Sequence, residues 1–429
     1  MFSIPLALSS LLQVLFNMSD IAVVGHFAGP LALGSVGSCA TLVTLFTGLL
    51  IGMGGGINAI AARFMGAGDN DKVKKTVHTS LILSLIYGII VMILGLIFAR
   101  SILAIIGTKD ELMDGAVLYM MVYLTGTPAM AIYNFGNGIL SAKGDSRRSL
   151  YYLLSAGILN IVLNLFFVIV CNMSVLGVAL ASSISQYLSA FLVILHMFRA
   201  KANYSISLKE LRIEPQIFKS IALLGITSGL QNAIFSVANL FIQSAVNTFD
   251  TTMVEGNSAA ANADALIYDI MNAFYIACTT FIAQNYGAGN RDRVMKTYKV
   301  CLMYSFGIAF VLGILLQLFG RQFLMLFTSE QEVIEAGLLR LRIMAFSYCF
   351  SSFMDNSIAA SRGFGKTVLP TVVVILGSCV FRIIWIYTIF AHFRTIPSLY
   401  LLYIFSWTIT AAIETVIFLG YAKKLLKKE

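Results

Sequence analysis

Charge is scarce in this sequence: Asp, Glu, Lys and Arg make up 11% of its 429 residues, where an ordinary soluble domain carries about a quarter. So few charges cannot dress a water-facing surface, which excludes a soluble globular fold for the chain as a whole. Cysteine is also sparse. Its six copies (Cys39, Cys171, Cys278, Cys301, Cys349 and Cys379) lie in or beside apolar stretches, without the paired spacing of a metal site or a disulfide framework. They read as small packing residues. The four histidines (His26, His78, His196 and His392) form no metalloprotease motif, and no G-x-S-x-G is present. The glycine-rich GMGGG at 52–56 and the two G-A-G turns lack the Gly-Lys-Ser/Thr ending of a phosphate loop, so they fit close helix packing and tight turns and not ATP hydrolysis. A basic face is missing as well. The net charge of +9 comes from Lys and Arg scattered over short loops, which argues against a nucleic-acid partner.

What is abundant is apolar sequence, with 59% hydrophobic residues. Runs of about 20 apolar residues, the length that carries a helix across the hydrocarbon core, recur along the chain and leave no room for a separate soluble domain. They predict twelve helices at 2–24, 31–62, 76–99, 115–142, 149–171, 175–198, 217–248, 258–285, 297–320, 335–361, 367–391 and 396–421. The first run contains Asp20 and lacks both a basic leader and a small-residue cleavage site, so it is expected to stay as helix 1 and not to be removed as a signal peptide. Its start almost at Met1 leaves the expectation of a further N-terminal stretch. Of the 29 Lys and Arg residues, 22 fall in the loops after helices 2, 4, 6, 8 and 10 and in the C-terminal tail, whereas the alternate loops carry Asp110, Glu111, Asp114, Asp250, Glu255, Glu330 and Glu332. The positive-inside rule then places both termini in the cytoplasm.

An internal repeat runs through the chain. MGAGDNDKVKKT from Met65 matches YGAGNRDRVMKT from Tyr286 at seven of twelve positions, and NGILSAKGDSRRSL from Asn137 echoes NSIAASRGFGKTVL from Asn356. Each echo follows a helix of matching rank, so the fold expected is an all-α membrane protein of twelve transmembrane helices in two six-helix bundles. An even number of helices per half relates the bundles by a pseudo-twofold axis along the membrane normal. Residues 1–198 form the N-terminal lobe, 199–216 a cytoplasmic linker, and 217–429 the C-terminal lobe. Two such bundles around a cleft suit alternating access.

Polar residues inside the membrane are costly and therefore informative. Gln13, Asn17 and Asp20 follow spacings of four and three along one face of helix 1. That stripe serves transport, an interhelical hydrogen-bond clamp, or a side chain reaching for the surface. Helix 5 offers Asn160 and Asn164 one turn apart, and helix 6 offers Ser182, Ser183 and Ser185, residues that suit ligand binding and packing equally. In the second half, helix 7 carries Asn232, Asn239, Gln243 and Asn247, helix 8 carries Asp264, Tyr268 and Asn272, and helix 10 sets Ser351 and Ser352 before Asp355. Asn239, Asp264 and Asp355 are the candidates for a C-lobe cavity. Either carboxylate has an alternative as the partner of Arg382. Asp269 and Glu414 read as structural.

Several segments together resemble the multidrug and toxic compound extrusion (MATE) transporters: IPLALSSLLQVLFNMSDIAVVGHF with its D-x-x-x-V-G, ARFMGAGDNDKVKKTVHTS, GNGILSAKGDSRRS, FIAQNYGAGNRDRV and SRGFGKTVLP. The resemblance covers essentially the whole chain. It implies two six-helix lobes and export of organic cations and amphipathic drugs in exchange for protons or sodium. In one branch of the family, an N-lobe cation site combines a helix 1 Asp, an Asn and an Asp on helix 5, and a helix 6 Thr. The matching residues here are Asp20, Asn160, Asn164 and Ser182. Asn164 stands where that branch has its second carboxylate, leaving a single negative charge, and since a hard cation prefers more anionic oxygens the proton is expected ahead of sodium. The acidic residues that a second branch uses on helices 7 and 10 find no match, because helix 7 has none and Asp355 falls about one turn late.

The expectations are thus a secondary antiporter with small amphipathic or cationic substrates. It would work as a monomer in a bacterial cell membrane, with no nucleic-acid partner, no cofactor beyond the coupling ion, no metal site and no enzymatic activity. The rival readings are a lipid-linked oligosaccharide flippase, which calls for an Arg- and Lys-rich cavity, and, more remotely, a channel or membrane enzyme.

Overall fold

The computed structural model describes residues 2–426, apart from the side chains of residues 14, 15, 17 and 18. Among the described residues every regular element is helical, in one short 3-10 turn at Leu208–Glu210 and twelve successive rods. These are α1 (Ser3–Phe27), α2 (Pro30–Ser38 continued by Ala40–Gly66), α3 (Asn70–Ile105), α4 (Asp110–Leu124 and Thr127–Lys143), α5 (Ser146–Val170), α6 (Ser174–Arg199), α7 (Pro215–Val246), α8 (Thr251–Gly287), α9 (Arg291–Leu324), α10 (Gln331–Met344 and Ser347–Gly363), α11 (Val368–Phe393) and α12 (Ile396–Leu425). Nine of them are long and apolar enough to cross a membrane, and ten if bent α4 is one span. Several run past the apolar stretch that signals them. α3 begins at Asn70 and α8 at Thr251, because their first turns are polar and carry caps: Asp69 accepts from the Lys72 N–H at 3.0 Å and Asp250 from the Met253 N–H at 2.8 Å.

The outward faces of these rods are those of a protein dissolved in hydrocarbon. On α3, Ile86, Ile90, Ile93 and Ile97 follow one another at helical spacing and are all exposed, while Leu83, Val91, Gly95 and Ala99 on the opposite side are buried. That polarity of packing is tolerable only where lipid covers the isoleucines. Lipid also removes the hydrophobic drive for helices to associate, so close contact between small residues takes its place. The GMGGG stretch of α2 does this work. A Cβ at Gly52 would lie 2.3 Å from the backbone nitrogen of Gly229, and one at Gly56 2.7 Å from that of Gly225, while α4 presses Asn134 against Gly54.

The repeated turns share one backbone solution. After α2, Gly68 takes a left-handed φ of 69° and the Asp69 N–H reaches back to the Phe64 carbonyl; after α8, Gly289 takes 68° and Asn290 reaches back to Asn285. Both are helix ends closed by a bond from the sixth residue to the first, with a glycine in the conformation that side chains disfavour. The second echo also has this form, but in a corrected register. Gly144 (φ 93°, Asp145 N–H to Leu140) corresponds to Gly365 (φ 76°, Lys366 N–H to Ser361), two residues beyond the alignment that the letters favour. Geometry outranks identity here, because the turn needs glycine at one place only. The helix breaks correspond too. α4 bends by 46° after Leu124, where the Thr127 hydroxyl bonds the Leu124 carbonyl at 2.8 Å, and α10 is interrupted after Met344, whose carbonyl takes the Ser347 hydroxyl at 2.5 Å.

The chain divides into two compact units, one up to Asn232 and the other from Ala233, so the division falls within α7, where the sequence points to 199–216 as the join. The first has its core around Val24, Leu50, Tyr119, Met120 and Leu124; the second around Met271, Tyr348, Tyr400 and Phe418. Residues between α6 and α7 are tied to the first unit. The Ser207 N–H donates to His78 Nε2 at 3.0 Å while His78 Nδ1 faces the Lys74 carbonyl at 2.8 Å, and the Glu214 N–H donates to the Thr79 hydroxyl at 3.0 Å. Tyr204 accepts from Lys143 Nζ at 3.0 Å.

Candidate functional site

In the first unit α1, α5 and α6 meet around Asp20. The meeting depends on Gly157, whose missing side chain makes room for the Phe16 ring: a Cβ there would lie 1.6 Å from Phe16 Cζ. One turn further along α5, Asn160 and Asn164 face the same way and arrive beside Asp20, which is buried at 6% exposure. Asn164 Nδ2 donates to Asp20 Oδ1 at 2.5 Å and the Ser182 hydroxyl donates to Oδ2 at 2.8 Å. The ring closes through Asn160, whose Nδ2 donates to Ser182 Oγ at 3.2 Å and whose Oδ1 accepts from Asn164 at 3.3 Å.

Each carboxylate oxygen of Asp20 therefore has one neutral donor, and among the described residues no Lys, Arg or His pairs with it. Among the described residues Asn164 Oδ1 has no partner. One acid with three neighbouring polar side chains offers a monovalent cation or proton a single negative charge, and no group of three or more metal-ligating side chains occurs among the described residues. Of the other two residues in the helix 1 stripe, Gln13 is half-buried with no hydrogen bond to Asp20. The side chain of Asn17 lies outside the described residues. Tyr119 and Tyr123 of α4, stacked with centroids 5.8 Å apart, are close enough to Asp20 to feel its charge. Nothing in their spacing singled them out.

The second unit separates the residues that the sequence grouped. Asp264 of α8 is held by Arg340 of α10, through Nε at 3.0 Å and through Nη2, and also accepts from the Tyr348 hydroxyl. Arg340 Nη1 and the Tyr400 hydroxyl, the latter at 2.6 Å, both donate to Asn257 Oδ1. The partner of Asp264 is thus Arg340 and not Arg382. Arg382 instead lies buried beneath aromatic rings, 4.5 Å from the Tyr403 centroid, 5.5 Å from Trp407 and 5.6 Å from Phe235, with its Nε on the Ser406 hydroxyl at 3.2 Å. Asp355 sits half-buried further along α10, in no ion pair among the described residues, with Tyr275, Arg362 and Arg382 as its electrostatic neighbours. Asn239 is exposed on α7 and bonds neither carboxylate. The three do not make one site.

The family model for MatE matches residues 5–166 and, a second time, 228–388. The chain belongs to the MatE family. It is a multi-pass membrane transporter of that family, and the double match falls on the two halves that carry the repeat. Among its relatives, the probable multidrug resistance protein YoeA of Bacillus subtilis is 25% identical over 381 residues, which cover 87% of this chain and 82% of that protein. Among solved structures, a multidrug resistance MATE family transporter of the MOP superfamily in its outward-facing conformation aligns with a TM-score of 0.92 at 26% identity, over 100% of this chain and 96% of that one. A MOP superfamily transporter from Pyrococcus furiosus, described as having a binding pocket of reverse polarity that suggests a different function, aligns equally well, with a TM-score of 0.92 at 25% identity over the same shares. MatE membership accords with the twelve-helix architecture.

Proposed function

We propose that this MatE-family transporter is a secondary antiporter that exports organic cations and other amphipathic compounds in exchange for inward protons, with sodium as the second choice of ion. The observation that carries the reading is the ring around Asp20: one buried acid, no basic partner, and neutral donors on both oxygens. A carboxyl in that setting is pulled two ways. Burial favours its neutral form and an approaching cation its charged form, so one site binds a proton or a cationic substrate but not both. That competition is the physical core of antiport. A second acid would suit sodium better, and Asn164 supplies an amide at that place.

In this reading the protein lies in the cell membrane of a bacterium as a monomer, with both termini in the cytoplasm, and its two six-helix halves open alternately to either side. The multidrug resistance relatives support amphipathic drugs as substrates. A flippase for lipid-linked oligosaccharides asks for free basic groups along a cavity, whereas Arg340 is taken up by Asp264 and Arg382 by aromatic rings. The deciding experiment is drug accumulation in an efflux-deficient host, with the proton and sodium gradients collapsed separately. Loss of efflux with the proton gradient is the expected result. Efflux that follows the sodium gradient alone would overturn the choice of ion, and efflux indifferent to both would overturn antiport.

A further inference from the structure

α12 carries a single acidic residue, Glu414, and it is completely buried. Neither carboxylate oxygen has a hydrogen-bond partner among the described residues, and no ion pair reaches it. The hydroxyls around it are committed elsewhere. Thr410, one turn back, donates to the Ser406 carbonyl at 2.7 Å and faces Ser378 Oγ at 3.1 Å. Thr415 faces Ser357 Oγ at 3.2 Å, which in turn faces the Tyr298 hydroxyl of α9 at 2.9 Å. A glutamate retained to hold helices together would take one of these donors. Glu414 takes none, so it costs desolvation and returns no bond, and a leucine or methionine would pack there at less expense.

The charged groups that face it are few. Arg362 and Asp355 of α10 are its electrostatic neighbours, with Tyr421 on its own helix. Arg362 neighbours both acids. Asp355 has a second guanidinium, Arg382, and Tyr275 among its neighbours as well, whereas Arg362 is the one cationic neighbour of Glu414. Asp355 is half-buried, whereas Glu414 is wholly buried with no donor on either oxygen among the described residues, a setting in which a carboxyl keeps its proton.

We propose that Glu414 is a proton-binding site of the second unit, distinct from Asp20, which holds its proton in this state and loses it to water in another. The O–H bond breaks with its electron pair left on the carboxylate, and the positive charge of Arg362, an electrostatic neighbour, offsets the charge left there. The transport consequence rests on the antiport reading; the bound proton does not.

The test uses the purified full-length protein with Asp20 intact. Near neutral pH, infrared spectra of the wild type should contain a protonated-carboxyl band that Glu414→Gln lacks. Proton release on adding a transported cationic drug, read with a pH dye, should fall in Glu414→Gln by one proton per chain. Glu414→Met keeps the packing without polar atoms, should fold at least as well as the wild type, and should show the same two losses. An unchanged band or unchanged proton release in either folded variant would overturn the inference. Should wild-type efflux prove indifferent to the proton gradient, the antiport reading falls, while the band still decides for or against Glu414.

Discussion

Asp20→Asn keeps the outline of the side chain and removes its charge. Its Oδ1 would still accept from Asn164, but the other oxygen becomes an amide nitrogen that cannot accept from Ser182. Ser182 Oγ already accepts from Asn160, so at most one hydrogen bond is lost, about 1 kcal/mol. Removing a buried acid offsets part of that, because a buried ion carries a desolvation penalty of several kcal/mol. Folding and insertion should therefore survive, with a melting temperature within about 4 °C of the wild type. Transport should not. Nothing titratable would remain in the ring, and gradient-driven efflux of a fluorescent cationic drug should drop to the level of cells without the transporter. Insertion is checked by surface labelling and monodispersity by fluorescence-detected size exclusion. Near-normal efflux by a correctly inserted Asp20→Asn protein would refute the assignment of Asp20 as the coupling residue.

Asn164→Asp places a second carboxylate against Asp20 and should raise the sodium dependence of efflux; a sodium response unchanged from the wild type would show that these oxygens do not bind the ion. Arg340→Met leaves Asp264 without its counter-charge and should destabilise the protein by about 3–5 kcal/mol, while Arg340→Met combined with Asp264→Asn should recover most of the loss in a thermal melt. A double variant no more stable than the single one would mean that Arg340 acts through packing. Cysteines placed at Asp110 and at Lys209 in a cysteine-free background should label oppositely with an impermeant reagent in intact cells, the first reacting and the second protected. Equal labelling would sink the proposed topology.

The helices were legible because the membrane imposes a length on apolar runs, and the turn at Gly68 was legible because its glycine recurs at Gly289 for the same backbone reason. Around Asp20, helical spacing alone puts Asn160 and Asn164 on one face of α5. That this face meets α1 follows from Gly157 admitting the Phe16 ring, a contact between residues 141 positions apart that no linear pattern contains. It took the family resemblance to join them in the sequence. The Arg340 cluster stayed hidden for a related reason. Helix 10 reads as one continuous stretch over 335–361, yet it is interrupted after Met344, and Arg340 falls in the segment before the break, facing Asn257 and Asp264 from a distant part of the chain. Asn239 and Asp355 share helical polarity with Asp264 but not its neighbourhood, since exposure and partner choice depend on which helix faces which.

The attachment of residues 203–214 to the first unit bears on how the gene can be divided. Ser207 and Glu214 give their backbone N–H groups to His78 and Thr79, and Tyr204 is bound by Lys143, so this connecting stretch folds as part of the sequence before it. A cut within it would strip the first fragment of bonds that satisfy the buried His78 ring and leave the other fragment with a dangling tail. Two separately expressed fragments should therefore reassemble best with the seam at Pro215, the first residue of α7, and poorly with a seam at the end of α6, although hydropathy alone gives no preference between the two ends of the 199–216 stretch.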